Sequence, residues 1–530
     1  MNYLDDKIKI RYIMEYMSIF NDVLGPVMRG PSSSHTAGSY RIARMAFSLM
    51  GERAASATFS FDPAGSYAHV YHQQGADLAF AASIMNWDIT DERFSQALTI
   101  AAQQGLEINF KVTQLKGYDH PNTVKIELKS NKGKHLTMVA RSIGGGMVEF
   151  VRFKEYPVML TGKAHEILLE VQNAQKAKVL QKIHQISQDD FHLNTISQKN
   201  KTLLYWQQKV PLNAEKQTQL KNTSGVIGLW LSEPVFHIVQ GEPLFSSAQE
   251  MVALAEKKEL TLGQLSAKYE AQLLGISQKE AMLWMIKIYE IMTSSIDKGL
   301  QDENIKMQLL RPSAKSIMQK ESKGQLAIGG LHTRAAARAL AVMHVSNSMG
   351  VVCAAPTVGS AGVIPAVIAS LVEKKNLSPE QAAMALFAAG GIGLVIARRA
   401  TFAAEVAGCQ VEIGAAAAMA AAAVVEAAGG KPSQAADAAA ISLQNTMGSI
   451  CDPVQGMCEI PCHTRNAAAA SNAFVCADLI LGGYENPIPL DETIDAVLSV
   501  GKMLPSELRC TAKGGLAICP SVSQNSILLR

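Results

Sequence analysis

No dense run of lysine and arginine occurs anywhere in this chain, and charge is scarce throughout. Only 18% of its 530 residues are Asp, Glu, Lys or Arg, with a formal net charge of +3, and the pair Arg398-Arg399 stands alone at the end of an apolar segment. That balance lacks the electrostatic footprint of a nucleic-acid-binding protein. The opening segment, MNYLDDKIKIRYIMEYM, has no apolar core of the signal-peptide kind. The eight cysteines are therefore expected in the reducing cytoplasm, where thiols stay free to act as ligands. The stretch from Gly350 to Val372 carries no charge and is long enough to suggest a membrane span. Pro356, Gly359, Gly362 and Pro365 interrupt it, so a buried loop and helix is expected instead, with no membrane partner. Compact zinc-finger or ferredoxin spacing is also missing from the cysteines.

What the chain does have is apolar bulk. Hydrophobic residues make up 48%, and the length exceeds what one core can organise, so two or three domains are expected. Residues 1–155 mix strand-like runs (AASATFSF, INFKVTQL, NTVKIELKS) with helical stretches, which predicts an α+β domain. Its punctuation is a loop from Gly30 to Thr36 leading into the helical pattern AGSYRIARMAFSLM, and a second glycine turn, Ser142 to Gly146. Residues 156–220 read as a small α/β module, HEILLEV and KTLLYWQQKV around the helix AQKAKVLQKIHQIS, or as a structured linker. Residues 221–530 read as all-helical. Between Val411 and Ala440, 15 of 30 residues are alanine, which favours helix and lets neighbouring helices approach closely. Gly390-Gly391, Gly429-Gly430, Gly482-Gly483 and Gly514-Gly515 mark turns or helix ends.

Three cysteines attract attention for chemistry: Cys409 after Gly408, and Cys451 and Cys462 framing CDPVQGMCEIPC, at separations of 42 and 11 residues. Three thiolates would leave one iron of a four-iron cluster without a protein ligand, a Lewis acid suited to removing water from a small polar substrate. Buried structural cysteines are the plainer account of the spacing taken alone. Cys353 and Cys476 lie in apolar runs and read as core. Cys458 shares the loop as a spare thiol, and Cys510 and Cys519 flank a turn without reading as ligands. The hydroxyls of Ser32, Ser33, Ser34 and Thr36, with the imidazole of His35, precede a helix N-terminus, where a substrate carboxylate would find unpaired N–H groups. A well-capped helix explains the same residues. Lys513 beside Gly514 is the nearest approach to a Schiff-base lysine, and no phosphate loop accompanies it.

The segments GPSSSHTAG, DHPNTV, SIGGG, APTVGSAGVIPAV, GCQVEIG, CDPVQGMCEIPC with His463-Thr464-Arg465-Asn466 after it, and KGGLA resemble those of the iron–sulfur-dependent L-serine dehydratases. The resemblance covers residues 1–150, similar to the family's β part, and about 225–525, similar to its α part, fused in that order. It implies a [4Fe-4S] cluster on Cys409, Cys451 and Cys462. It also implies a small amino-acid substrate, with elimination of water from L-serine to give pyruvate and ammonia. The middle segment resembles a degenerate regulatory ACT domain without its usual effector-site glycine. On this reading His35, Ser33, Ser34 and Thr36 are catalytic, while Ser32, Arg465 and Asn466 bind substrate. Glu412 and Glu459 are ammonium acceptors or structural carboxylates, and the assembly is a homodimer. Two departures stand out. Gln73-Gln74-Gly75-Ala76-Asp77 replaces a histidine-containing stretch, leaving His69 and His72 nearby, and RPSAKSIMQ replaces a glycine-rich one. They keep open L-threonine deamination, L-cysteine desulfidation, and a non-catalytic sensor.

Overall fold

The computed structural model describes residues 16–186, 191–301 and 305–523. Most of the opening segment inspected for a signal peptide lies outside them. The described chain starts with a wide helical turn, Ile19–Val23, capped by the Ser18 hydroxyl, and then β1, Val27–Arg29. After the helix Gly38–Met50 come β2 (Ala54–Phe61), β3 (Glu107–Val112), β4 (Thr123–Ser130), β5 (His135–Gly144), β6 (Met147–Phe153) and β7 (Tyr156–Leu160). They form one sheet in the order β3-β2-β4-β5-β6-β7. Only β2 and β3 run parallel, because helices at Ala76–Ile84 and Ala97–Gln103 carry the chain back between them. Along β5 the burial alternates, with Leu136, Met138, Ala140 and Ser142 inward. Ile42, Met45, Ala46 and Leu49 of the first helix share the apolar core this face builds. Stacked rings strengthen it, Phe59 lying 4.2 Å from Phe80.

The middle unit is β8 (His165–Gln172), a helix Lys176–Ile186, β9 (Asn194–Gln198), β10 (Lys201–Gln208), a helix Ala214–Lys221 and β11 (Val226–Ser232). Its antiparallel sheet runs β11-β8-β10-β9. This βαββαβ order is the ferredoxin-like arrangement and does not by itself single out an ACT module. Both edges of the expected middle segment shift. The Tyr156–Leu160 strand belongs to the first sheet, where its alternating buried and exposed residues pair with β6. The region expected to be all-helical from 221 begins with β11, an apolar run whose periodicity does not separate strand from helix until β8 is found beside it.

Among the described residues from Ala248 onward, the regular elements are helical apart from β12, Val351–Cys353. At the centre lies Ile413–Ala427, buried from Ile413 through Val425. The helices Val363–Lys375, Pro379–Arg399, Pro432–Thr446 and Cys462–Leu481 pack around it at distances that alanine permits. Two helical segments, Pro379–Arg399 and Cys409–Ala427, are long and apolar enough to cross a membrane by composition, yet 78% and 89% of their apolar windows are buried in the fold. The stretch from Gly350 is β12, a short turn and a helix, as its prolines and glycines require.

The two ends of the chain are joined by residues 18–30. Ile19 and Val23 press on the helix Pro379–Arg399 at Gly390 and Gly393, where an added Cβ would lie 2.8 Å and 2.1 Å from those side chains. Inside this core the Glu270 carboxylate accepts hydrogen bonds from Ser18 Oγ (2.5 Å), Ile19 N (2.8 Å) and Phe20 N (3.1 Å). β1 then pairs with β12, Val27 opposite Cys353. Arg29 bridges both sides, donating to the Met349 carbonyl and to those of Ile89, Thr90 and Asp91. Glu270→Ala would strand those donors in the core. The variant should be less stable by about 2–4 kcal/mol, seen as a lower urea midpoint and faster proteolysis within residues 16–30.

Candidate active site

The three cysteines reach one place from three elements. Cys409 follows Gly408, whose φ of +78° and whose closeness to the Ser449 carbonyl (2.6 Å from an added Cβ) leave no room for a side chain. Cys451 is held by backbone pairing, its N–H donating to Leu508 O and its carbonyl accepting from Cys510 N, both at 2.8 Å. Cys462 opens the helix Cys462–Leu481. All three are buried. The donor atoms of Cys409, Cys451 and Glu412 lie within 4.8 Å of one another, a set capable of holding a metal ion. Cys462 hydrogen-bonds the Cys458 thiol and sits in electrostatic reach of Cys409 and Glu412.

The electrostatics fit a cation. The thiols of Cys409 and Cys510, then burial, hold the Cys451 thiol strongly in its protonated form. Cys458 and burial do the same to Cys462. Several thiols crowded out of water cannot ionise together, and a bound cation reverses this by making thiolate the stable form. Soft sulfur donors with one carboxylate suit iron better than magnesium or calcium. Burial likewise pushes the Glu412 carboxyl up to about 7, opposed by the hydrogen bond from Thr357 Oγ1 and reinforced by Glu405. Arg465 supplies the fixed positive charge. Its Nη1 lies 3.5 Å from Cys409 Sγ and donates to Ile450 O at 2.8 Å, and its Nη2 lies 2.9 Å from Asp452 Oδ1. Asp452 in turn accepts from Leu516 N in the KGGLA turn (2.8 Å). A solvent-open cavity of about 280 Å³ reaches Cys409 and Arg465 between helices, and none of its lining comes from the first domain.

The serine-rich loop belongs to the first domain. Ser32 caps a wide turn, Ser33–Ala37, that runs into the first helix. His35 Nδ1 lies 3.2 Å from Ser32 Oγ, its Nε2 lies 3.0 Å from Ser66 Oγ, and its ring meets the Tyr67 ring edge-on. Thr36 Oγ1 donates to Gln74 O (2.7 Å) and is fully buried, whereas Ser32, Ser33 and Ser34 are half-buried. Ser142 of the glycine turn donates to Ser34 O (2.7 Å). Two contacts bring the loop to the helical domain. Gly30 packs so tightly on Ser346 that a Cβ would lie 2.1 Å from its carbonyl. The Gly144–Gly146 turn, at positive φ throughout, reaches Glu405 in the short helix ahead of Cys409 (3.8 Å from an added Cβ on Gly144). The first domain and the helical domain thus touch within one chain.

The family model of the serine dehydratase alpha chain matches residues 173–517. The chain belongs to the serine dehydratase family. The probable L-serine dehydratase alpha chain of Bacillus subtilis is 37% identical over 278 residues, 52% of this chain and 93% of that protein. The probable beta chain from the same organism is 41% identical over 160 residues, 30% of this chain and 70% of its own. The L-serine dehydratase alpha chain of Peptoniphilus asaccharolyticus is 34% identical over 275 residues, 52% and 94%. What B. subtilis divides between an alpha and a beta chain is fused here in one.

Within this serine dehydratase fold some expected site residues turn out to be occupied. Asn466 is fully buried and its amide is used up, accepting from Gly362 N and donating to Gly359 O and Cys462 O. It positions the loop around Glu412 and has nothing left for a substrate. Glu459 accepts from Gln308, Leu309 and Leu310 N–H groups and is structural. His72 is exposed and paired with Asp77. Sequence reasoning overlooked Ser66, Thr357 and Asp452. Each lies in a glycine- or proline-bearing segment, yet only the folded chain shows what it faces. Burial holds the His35 pKa down at about 4, against 6.5 for a free imidazole. Its charged form is disfavoured in the folded state, so stability is lost as pH falls from 6.5 toward 4, by up to about 3 kcal/mol for this group. Urea midpoints at pH 7 and pH 4.5 should therefore converge in His35→Asn relative to the parent. An equal gap in both would mean that the imidazole ionises freely in the fold.

Proposed function

We propose that this chain is an iron–sulfur-dependent L-serine ammonia-lyase, a carbon–oxygen lyase that removes water from L-serine to give pyruvate and ammonia. The observation that carries the reading is the convergence of Cys409, Cys451 and the Glu412 carboxylate within 4.8 Å. Cys409, Cys451 and Cys462 would hold a [4Fe-4S] cluster. When bound, it supplies a Lewis-acidic iron that three cysteines leave without a protein ligand.

The residues of the chain do the rest. Ser32, Ser33 and Ser34 offer hydroxyls to the substrate carboxylate, with the donors of the turn behind them. His35 is kept neutral by burial and can accept the Cα proton through Nε2, which faces the Ser66 hydroxyl. Thr36 and Asn466 hold their loops in place, and Arg465 balances the charge of the sulfur group through Cys409. Glu412 is assigned the substrate ammonium. Loss of the Cα proton and the β-hydroxyl gives 2-aminoacrylate and water. The enamine tautomerises and hydrolyses to pyruvate and ammonia without further help. We assign residues 1–155 the substrate loop, 156–220 an ACT-like module and 221–530 the cluster domain, with β7 and β11 shifting the two inner boundaries. A reducing cytoplasm suits the free thiols.

Protein purified without oxygen should be brown, absorb broadly near 400 nm and carry roughly four irons per chain, as four-iron clusters do. Ser substitution at Cys409, Cys451 or Cys462 should each abolish the colour, while Cys353→Ser and Cys476→Ser keep it. A colourless anaerobic protein would refute the cluster.

Pyruvate release from L-serine should be lost on exposure to air and should fall at least about a hundredfold in His35→Ala, with the iron content unchanged. Assays with L-threonine and L-cysteine separate the neighbouring substrates. Sulfide from cysteine outpacing pyruvate from serine would reassign the substrate.

A further inference from the structure

Two cysteines that do not read as ligands lie against two that do, Cys458 beside Cys462 and Cys510 beside Cys451. Cys510 is exposed, whereas Cys451 is buried. The backbone sets this second pair side by side. Cys451 N donates to Leu508 O and Cys510 N donates to Cys451 O, both at 2.8 Å, in a short parallel bridge that places Cys451 opposite Arg509. Paired strands lie about 4.8 Å apart. The next residue along, Cys510, therefore has its Cα about 6 Å from that of Cys451, inside the roughly 4.4–6.8 Å that a disulfide spans. In an extended chain Cys510 would point to the side opposite Arg509 and away from Cys451. Its φ of +61° breaks that alternation, an uncommon conformation for a residue with a side chain, and the two thiols stand in hydrogen-bonding contact.

Cys451 touches the Cys409 thiol as well, so contact alone does not choose its partner. Exposure does. An oxidant arriving from solvent meets Cys510 first, because Cys409 is only 1% exposed. In stepwise thiol oxidation the sulfur oxidised first is the one that a neighbouring thiol then attacks.

We propose that Cys451 and Cys510 form a disulfide when the cysteine group holds no iron, with a hydroperoxide as the oxidant, and that this bond keeps Cys451 from binding metal until a dithiol reduces it. Cys510 Sγ gives an electron pair to one oxygen of hydrogen peroxide, the O–O bond breaks, and Cys510 becomes a sulfenic acid with release of one water. Cys451 Sγ then bonds to Cys510 Sγ, the S–O bond breaks, and the Cys451 proton leaves with the hydroxide as a second water. Two thiols lose two electrons and one peroxide accepts them. A dithiol reverses the bond by exchange through a mixed disulfide. The blocking half rests on the reading of Cys451 as a cluster ligand, while the disulfide itself does not.

In iron-free, full-length protein, a small excess of hydrogen peroxide followed by alkylation of free thiols should leave Cys451 and Cys510 unalkylated and joined. Cleavage before aspartate and after lysine and arginine releases them on residues 437–451 and 510–513, with no other cysteine in either peptide. Mass spectrometry without reduction then reads the linked pair directly. Cys458→Ser should form the same link, and Cys510→Ser should not. The same peroxide dose should cut iron uptake by the parent several-fold, with dithiothreitol restoring it, and should leave uptake by Cys510→Ser nearly unchanged. Peptide 437–451 joined to the Cys409 peptide, or Cys510 driven to sulfinic acid while Cys451 stays free, overturns the disulfide. Equal loss of uptake in the parent and in Cys510→Ser overturns its control of Cys451. If the untreated parent takes up no cluster, the cluster reading fails, and the peptide map still decides the disulfide.

Discussion

The carboxylate of Glu270, fully buried in the helical core, accepts from the Ser18 hydroxyl and from the backbone of Ile19 and Phe20. That anchor fixes where the first domain begins. From Val27, nine residues after Ser18, the chain pairs with β12, and immediately afterwards it turns into the serine-rich loop. Loop and cysteines lie more than 370 residues apart in sequence, and no local propensity could bring them together. The short span from Ser18 to Gly30 ties the two domains together by entering the core of the other domain, where Gly390 and Gly393 provide the space for Ile19 and Val23. Glycine in a helix interior costs about 1 kcal/mol relative to alanine, and here the close approach it allows offsets that cost.

The second constraint is electrostatic. Five thiols crowd together beside the Arg465 guanidinium, with Cys409, Cys451 and Cys462 buried, Cys458 half-buried and Cys510 exposed. As neutral thiols they pack as small hydrophobes. As thiolates they need a cation, and Arg465 is shared with Asp452 and the Ile450 carbonyl. Burial pushes the Glu412 carboxyl up as well, so metal binding, thiol ionisation and Glu412 ionisation are one coupled event. The tight supports around them, Asn466 across Gly359 and Gly362 and Asp452 on the KGGLA turn, hold the donors close before any cation arrives.

Several features were legible in the residues. The alanine-rich run forms the central helix because small side chains and high helix propensity point the same way. The prolines and glycines from Gly350 onward break a membrane-like stretch into strand, turn and helix. The serine-rich loop leads into the first helix, with Ser32 capping the wide turn before it. Other features were not legible. Tyr156–Leu160 alternates like any edge strand, and nothing local tells which sheet it joins. Val226–Ser232 is apolar enough for a helix and becomes a strand because β8 has a free edge. Asn466 looks like a substrate ligand beside Arg465, yet its amide is consumed by Gly359, Gly362 and Cys462. His72 sits near the altered Gln73-Gln74 stretch in sequence and faces solvent in the fold.

The sequence by itself determined the kinds of element, the donor atoms available and the family, because motifs such as GPSSSHTAG and CDPVQGMCEIPC keep residue type and order together. Tertiary structure alone decided which donors share a space. Glu412 joined Cys409 and Cys451, Glu459 was taken by three backbone N–H groups, and His35 was buried neutral against Ser66 and Tyr67. The reason is that ligand geometry and desolvation depend on distances between segments far apart in the chain, and local pattern carries no record of those distances.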